Sequence, residues 1–170
     1  MDAVKLIDAL ERFGGLFPSL MNNISIDDAR WKPRPEDWSI LEVVRHLGDE
    51  EVDDFRARLR STLENPATAW PQIRPEVWAV ERKYNEADFG EAVDRFVGER
   101  AASVRWLRSL KQTNWSQAYV HPKVGPVPAG DLLASWAAHD ALHLRQIAKR
   151  MHQLAGHHAG AFNTRYAGEW

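Results

Sequence analysis

Apolar residues recur at helical spacing in four stretches of the chain. In the first, about residues 2–21, Val4, Leu6, Ile7, Leu10, Phe13, Phe17 and Leu20 share one side of a helix. Gly14-Gly15 and Pro18 predict a kink or an early end in its second half. Residues 27–38, with Pro33 and Pro35, read as a connector. A second helix is predicted from Ser39, because Ser39-Ile-Leu-Glu42 has the form of a capping box. Its apolar side runs through Ile40, Val44, Leu47, Phe55 and Leu59 and ends near residue 63. Residues 64–87 are rich in Pro and Trp and predict a long crossover, within which Pro75 opens a short helix carrying Val77, Trp78 and Arg82.

Asp88-Phe-Gly-Glu91 predicts the start of a third helix. It runs to about residue 110 and buries Phe89, Val93, Phe96, Val97, Val104 and Leu107. Residues 112–129 hold His121 and three prolines and read as a loop. A fourth helix covers about residues 130–152, and a Gly-containing tail (156–170) closes the chain. No segment has the alternation of a strand, and no glycine pattern of a nucleotide-binding loop occurs. The expectation is an all-α fold: a four-helix bundle with long crossover connections, as a single domain over residues 1–170.

Within the fourth helix, Leu132, Ser135, Trp136, His139, His143, Gln146 and Ile147 fall on one face at about 100° per residue, the face that points to the core. Two inward imidazoles on adjacent turns are costly to bury unless each has a partner. A metal ion is one such partner; backbone groups, or the two rings bonding each other, are another. The residue after His139 is Asp140, not Glu, so this is not the metalloprotease helix. Asp140 is turned about 100° from His139, away from any shared cavity.

His46, on the second helix, sits at the border of its apolar stripe. With His139 and His143 it would make a three-histidine set with an open fourth position. Glu50 lies one turn beyond His46. It could be a further ligand, a partner to a ligand or a general base, or simply a solvated charge in the acidic run 49–54. His121, His152, His157 and His158 read as exposed or as favourable charges at a helix end.

The 170-residue chain has 44% hydrophobic and 27% charged residues, a soluble globular composition. Net charge is -2 and the pI about 6.4, with no basic stripe for nucleic acid or acidic lipid. No apolar run approaches the roughly 18 residues that span a bilayer. The start has acids at Asp2 and Asp8 rather than the basic leader of a signal peptide, and a cytoplasmic location is expected. Cysteine is absent, so a metal site must use His, Asp or Glu. Eight tryptophans are many for this length, and some are candidates to line a pocket.

Two segments together resemble the DinB-like (damage-inducible) metal-binding superfamily: Trp38-Ser-Ile-Leu-Glu-Val-Val-Arg-His46-Leu, and His139-Asp-Ala-Leu-His143-Leu-Arg-Gln146-Ile. The crossover between them, with Trp78 and Tyr84, fits the same pattern. The resemblance implies a four-helix bundle with crossed connectivity and a divalent metal, zinc or nickel, held by His46, His139 and His143. It also implies a homodimer and, for some members, transfer of a low-molecular-weight thiol such as bacillithiol or mycothiol to a small electrophile. Coordination deprotonates a thiol, and a bound water would instead make the site a hydrolase. Trp78, Tyr84 and Trp136 are candidate pocket walls, Arg82 a candidate partner for a substrate carboxylate, and Glu50 a candidate catalytic base. A non-catalytic ligand- or partner-binding protein with a structural metal is the alternative from another class.

Overall fold

The computed structural model describes residues 1–168 and residue 170. Helix α1 spans Ala3–Met21, and the Asp2 side chain caps it by accepting from the Lys5 amide. It continues through Gly14, Gly15 and Pro18 without the expected early end. Pro18 forfeits one helical hydrogen bond, while Phe17 and Met21 beside it are buried, and tertiary packing of that face outweighs local propensity. A short helix α2, Ile26–Arg30, interrupts the segment read as a connector, with Ser25 as its cap.

The second rod starts where the capping box placed it. Ser39 Oγ accepts from the Glu42 amide at 3.1 Å, and Glu42 Oε2 accepts from the Ser39 amide at 2.8 Å. The rod is not one uniform helix. Helix α3 covers Ile40–Asp49, a π-helical turn covers Glu50–Phe55, and α4 covers Arg56–Glu64. The crossover holds α5, Pro75–Glu81, and a 3₁₀ turn at Tyr84–Glu86. Helix α6, Phe89–Ser109, is capped by Asp88.

The segment after α6 is not all loop. Strands β1, Ala118–His121, and β2, Gly125–Pro128, pair antiparallel, with Tyr119 opposite Val127. The prolines hid this hairpin from the sequence pattern, because Pro is tolerated on an edge strand but spoils the strand signal. Helix α7, Ala129–His158, then runs past its expected end at residue 152. No helix among the described residues is long and apolar enough to cross a membrane.

Helix α1 packs on α6 and α7, and the α3–α4 rod also packs on α6 and α7. Long helices that follow each other in the chain, α1 then α3 and α6 then α7, therefore sit across the diagonals of the bundle. Short loops cannot span a diagonal, which accounts for the connections before α3 and before α7; the crossover at 65–88 instead returns along the bundle, because the α3–α4 rod and α6 are neighbours that run in the same direction.

The interior has two apolar clusters. One contains Phe17, Ile40, Val44, Leu47, Phe96, Ile147 and Leu154; the other contains Leu10, Phe55, Leu59, Val104, Leu133 and Trp136. Between them in the sequence of each helix lies a polar layer centred on Arg100, which is 2% exposed. Its guanidinium donates to both oxygens of Asp140 on α7 at 2.6 and 2.7 Å, to Glu51 Oε1 at 2.9 Å, and to the Leu10 carbonyl on α1 at 3.0 Å. One side chain of α6 thus bonds all three other rods. Gly14 of α1 makes room for it: a Cβ there would lie 2.7 Å from Arg100 Cγ.

Candidate metal centre

His46 enters the centre from α3, whose Val43, Val44 and Leu47 are all buried. That packing draws the imidazole fully inside, at 4% exposed, rather than leaving it at the border. His139 and His143 enter from successive turns of α7 and are half-buried. Ser135, expected on the same inward face, is exposed.

The three rings converge on their Nε2 atoms. His143 Nε2 lies 3.1 Å from His46 Nε2 and 3.0 Å from His139 Nε2. One ligand atom from each residue falls within 4.8 Å of the others. The His143 Nδ1–H donates to Gln146 Oε1 at 2.8 Å, so its Nε2 carries only a lone pair. That one lone pair cannot line up with two neighbouring nitrogens at once. Burial holds His46 and His139 down to about 3, with the neighbouring histidines adding to the effect, and burial lowers His143 as well. At neutral pH the three imidazoles are uncharged and aim lone pairs at a common point, the donor arrangement a divalent cation requires. The residues fit a metal ion, and an all-imidazole set suits zinc and nickel alike.

Aromatic rings fix the imidazoles from the sides. Trp38 meets His46 edge to face at a centroid distance of 5.0 Å, and Phe55 meets His139 in the same way at 5.0 Å. Neither ring was singled out in the sequence as a wall of the site. Phe55 arrives from the π-helical turn, a feature with no periodic signature in sequence and one common at functional sites.

Glu50 begins that turn. The sequence favoured a solvated acidic run, but Asp49, Glu50, Glu51 and Asp54 are all buried. Most have a basic or hydroxyl partner. Asp49 takes Arg82 at 2.5 Å, Arg95 at 2.6 Å and the Tyr84 hydroxyl; Glu51 takes Arg100 and Trp136; Asp54 takes Arg58 at 2.8 Å. Glu50 has no such cation among the described residues. Burial, and then the hydrogen bond and charge of Asp54, push its carboxyl up to about 9. Its Oε1 stands 3.6 Å from His46 Nδ1, and both atoms lack a hydrogen-bond partner among the described residues.

The centre opens into a cavity of about 1130 Å³ whose wall includes His46, Glu50, Phe55, His139, His143 and Gln146. Four sequence candidates lie off this cavity. Tyr84 is fully buried with its hydroxyl on Asp49. Arg82 is spent on Asp49 and Asp53 and lies over the Trp78 ring at 4.0 Å, which corrects its assignment to a substrate carboxylate. Trp136 stacks behind Phe55 at 5.6 Å and donates to Glu51, so it supports a wall without being one. The remaining histidines stay apart. His121 packs near Trp70 and Tyr119, and His158 pairs with Asp28 at 2.8 Å.

The fold is shared with a solved structure, YfiT from Bacillus subtilis, described as a probable metal-dependent hydrolase with an unusual four-helix bundle topology. The TM-score is 0.79 at 17% identity, over 90% of this chain and 87% of that one. No individually curated protein matches the chain. The family model of the DinB superfamily matches residues 9–147, a span that holds all three histidines. The chain therefore belongs to the DinB superfamily.

Proposed function

We propose that the protein is a metal-dependent enzyme acting on small molecules, with His46, His139 and His143 holding a divalent zinc or nickel ion. The carrying observation is the convergence of three neutral imidazoles at the wall of a wide cavity, with no fourth side chain among the described residues closing the set. An open position marks a catalytic site, whereas structural sites are closed by four ligands. Bound there, the ion would lower the pKa of a small nucleophile and so supply it in reactive form at neutral pH.

The favoured reaction is transfer of a low-molecular-weight thiol such as bacillithiol or mycothiol to a small electrophile. The cavity volume supports it, being above the roughly 300–1000 Å³ that holds one drug-sized ligand; it has room for two reactants. In this reading Gln146 holds the His143 ring in orientation, while Trp38 and Phe55 exclude water from the imidazoles. Glu50, 3.6 Å from His46 and with its carboxyl pushed up to about 9, would hold a proton beside the reacting group. A hydrolase is the second reading, favoured by the fold shared with a protein described as a probable metal-dependent hydrolase.

Metal-loaded protein would be tested with several thiols against epoxide and halide electrophiles, and separately with ester and amide substrates. Thiol- and metal-dependent turnover, lost in His143→Ala, supports transfer. Thiol-independent turnover supports hydrolysis, and no metal-dependent rate with any pairing contradicts both.

A further inference from the structure

Arg150 lies seven residues beyond His143 on α7, about 10 Å along the axis, and lines the same cavity. It is 5% exposed. A buried cation normally has a carboxylate to itself, and among the described residues Arg150 has none. The nearest, Asp37, stands 3.9 Å from Nη2. Asp37 is already gripped by Arg34 at 2.9 and 3.1 Å. The other nearby acid, Glu42, is held by Lys32 at 3.1 Å and by the Ser39 amide. Arg150 Nη1 donates to Gln153 at 2.5 Å, and Nε is buried with no partner among the described residues. Nε and Nη2 form one edge of the guanidinium, so the edge suited to a two-oxygen anion is the uncommitted one.

We propose that Arg150 recognises the carboxylate or phosphate group of an anionic reactant bound in the cavity, setting that group one to two helical turns from the metal centre. The inference rests on reading the cavity as a substrate site, and it adds the class of molecule: an anion whose reactive atom is separated from its charged end. The other cations lining the cavity have acids of their own, Lys32 with Glu42 at 3.1 Å and exposed Arg74 with Glu81 at 3.4 Å; Arg145 and Lys149, at the rim of the adjoining cleft, are exposed and would attract anions without fixing them.

The test uses metal-free protein, so its outcome is independent of any reaction at the histidines. Succinate and inorganic phosphate would be titrated by calorimetry into wild type, Arg150→Gln, Arg150→Lys and a rim control, Arg145→Gln/Lys149→Gln. The expected result is saturable binding that weakens by about tenfold or more in Arg150→Gln, in line with loss of hydrogen bonds from a charged donor. Binding should be partly kept in Arg150→Lys and little changed in the rim control. If Arg150→Gln does not fold, the Arg150 Nε–H resonance of wild type, assigned by its absence in Arg150→Lys, must shift on titration. Unchanged affinity in folded Arg150→Gln, an unmoved resonance, or absence of binding to wild type overturns the inference. Anion binding through Arg150 without metal-dependent turnover would leave it standing and remove the proposed reactions. In an active pair, a raised KM for the thiol or for the electrophile in Arg150→Lys identifies which reactant carries the anion.

Discussion

Gln146 Oε1 accepts the Nδ1–H of His143 at 2.8 Å, one turn along the same helix. The bond fixes the tautomer that leaves Nε2 free to face His46 and His139. Partners of this kind typically contribute about 10–100-fold to metal affinity. Gln146→Leu should therefore weaken metal binding by about that factor in a competitive chelator titration, with Gln146→Glu retaining it. Equal affinity in wild type and Gln146→Leu would show that the ring is held by packing alone.

Arg100 and the acids around it set the rotation of α7, and hence the direction of His139 next to Asp140. Removing the guanidinium leaves Asp140 and Glu51 buried without their cation. Arg100→Met should cost about 3–5 kcal/mol in urea denaturation. Arg100→Met with Asp140→Leu and Glu51→Gln should cost less, because no charge is then stranded. A triple variant less stable than the single one would contradict this account of the layer.

Glu50 gives a pH signature. Its carboxyl is held up to about 9 in the fold against 4.5 as the ordinary value, by burial and then Asp54. Between those values the folded protein keeps a proton that the unfolded chain has released, so Glu50 lowers stability as pH rises. Gln keeps the neutral shape and removes the penalty. In metal-free protein, Glu50→Gln should be more stable than wild type, with an advantage that is larger at pH 7.5 than at pH 5. An advantage independent of pH would mean the carboxylate is ionised in the fold.

Much of this arrangement is legible in the sequence where periodicity and capping act alone. Ser39 and Glu42 fix the start of α3, Asp88 starts α6, and the spacing of His139 and His143 places both on one face. His46 was harder, since its own helix geometry favours the border; burial of Val43, Val44 and Leu47 decides it. The acids at 49–54 misled because a run of charges looks solvated, and of the compensating cations only Arg58 is a near neighbour in sequence, while Arg82, Arg95 and Arg100 come from elsewhere in the chain. Arg82 reads as a free cation for the same reason: Asp49 is 33 residues away. The π-helical turn that delivers Phe55 leaves no periodic trace, and Arg150 reads, with Arg145 and Lys149, as part of a solvated face at the negative end of a helix, whereas it is buried.

The central claim is the three-histidine site, and metal content tests it most directly. Protein purified without a histidine tag, stripped, reloaded with zinc or nickel and desalted, should retain one ion per chain by elemental analysis. His143→Ala, with its helical circular dichroism intact, should retain almost none. A wild type that holds well under one ion per chain, or an occupancy that His143→Ala leaves unchanged, would contradict it.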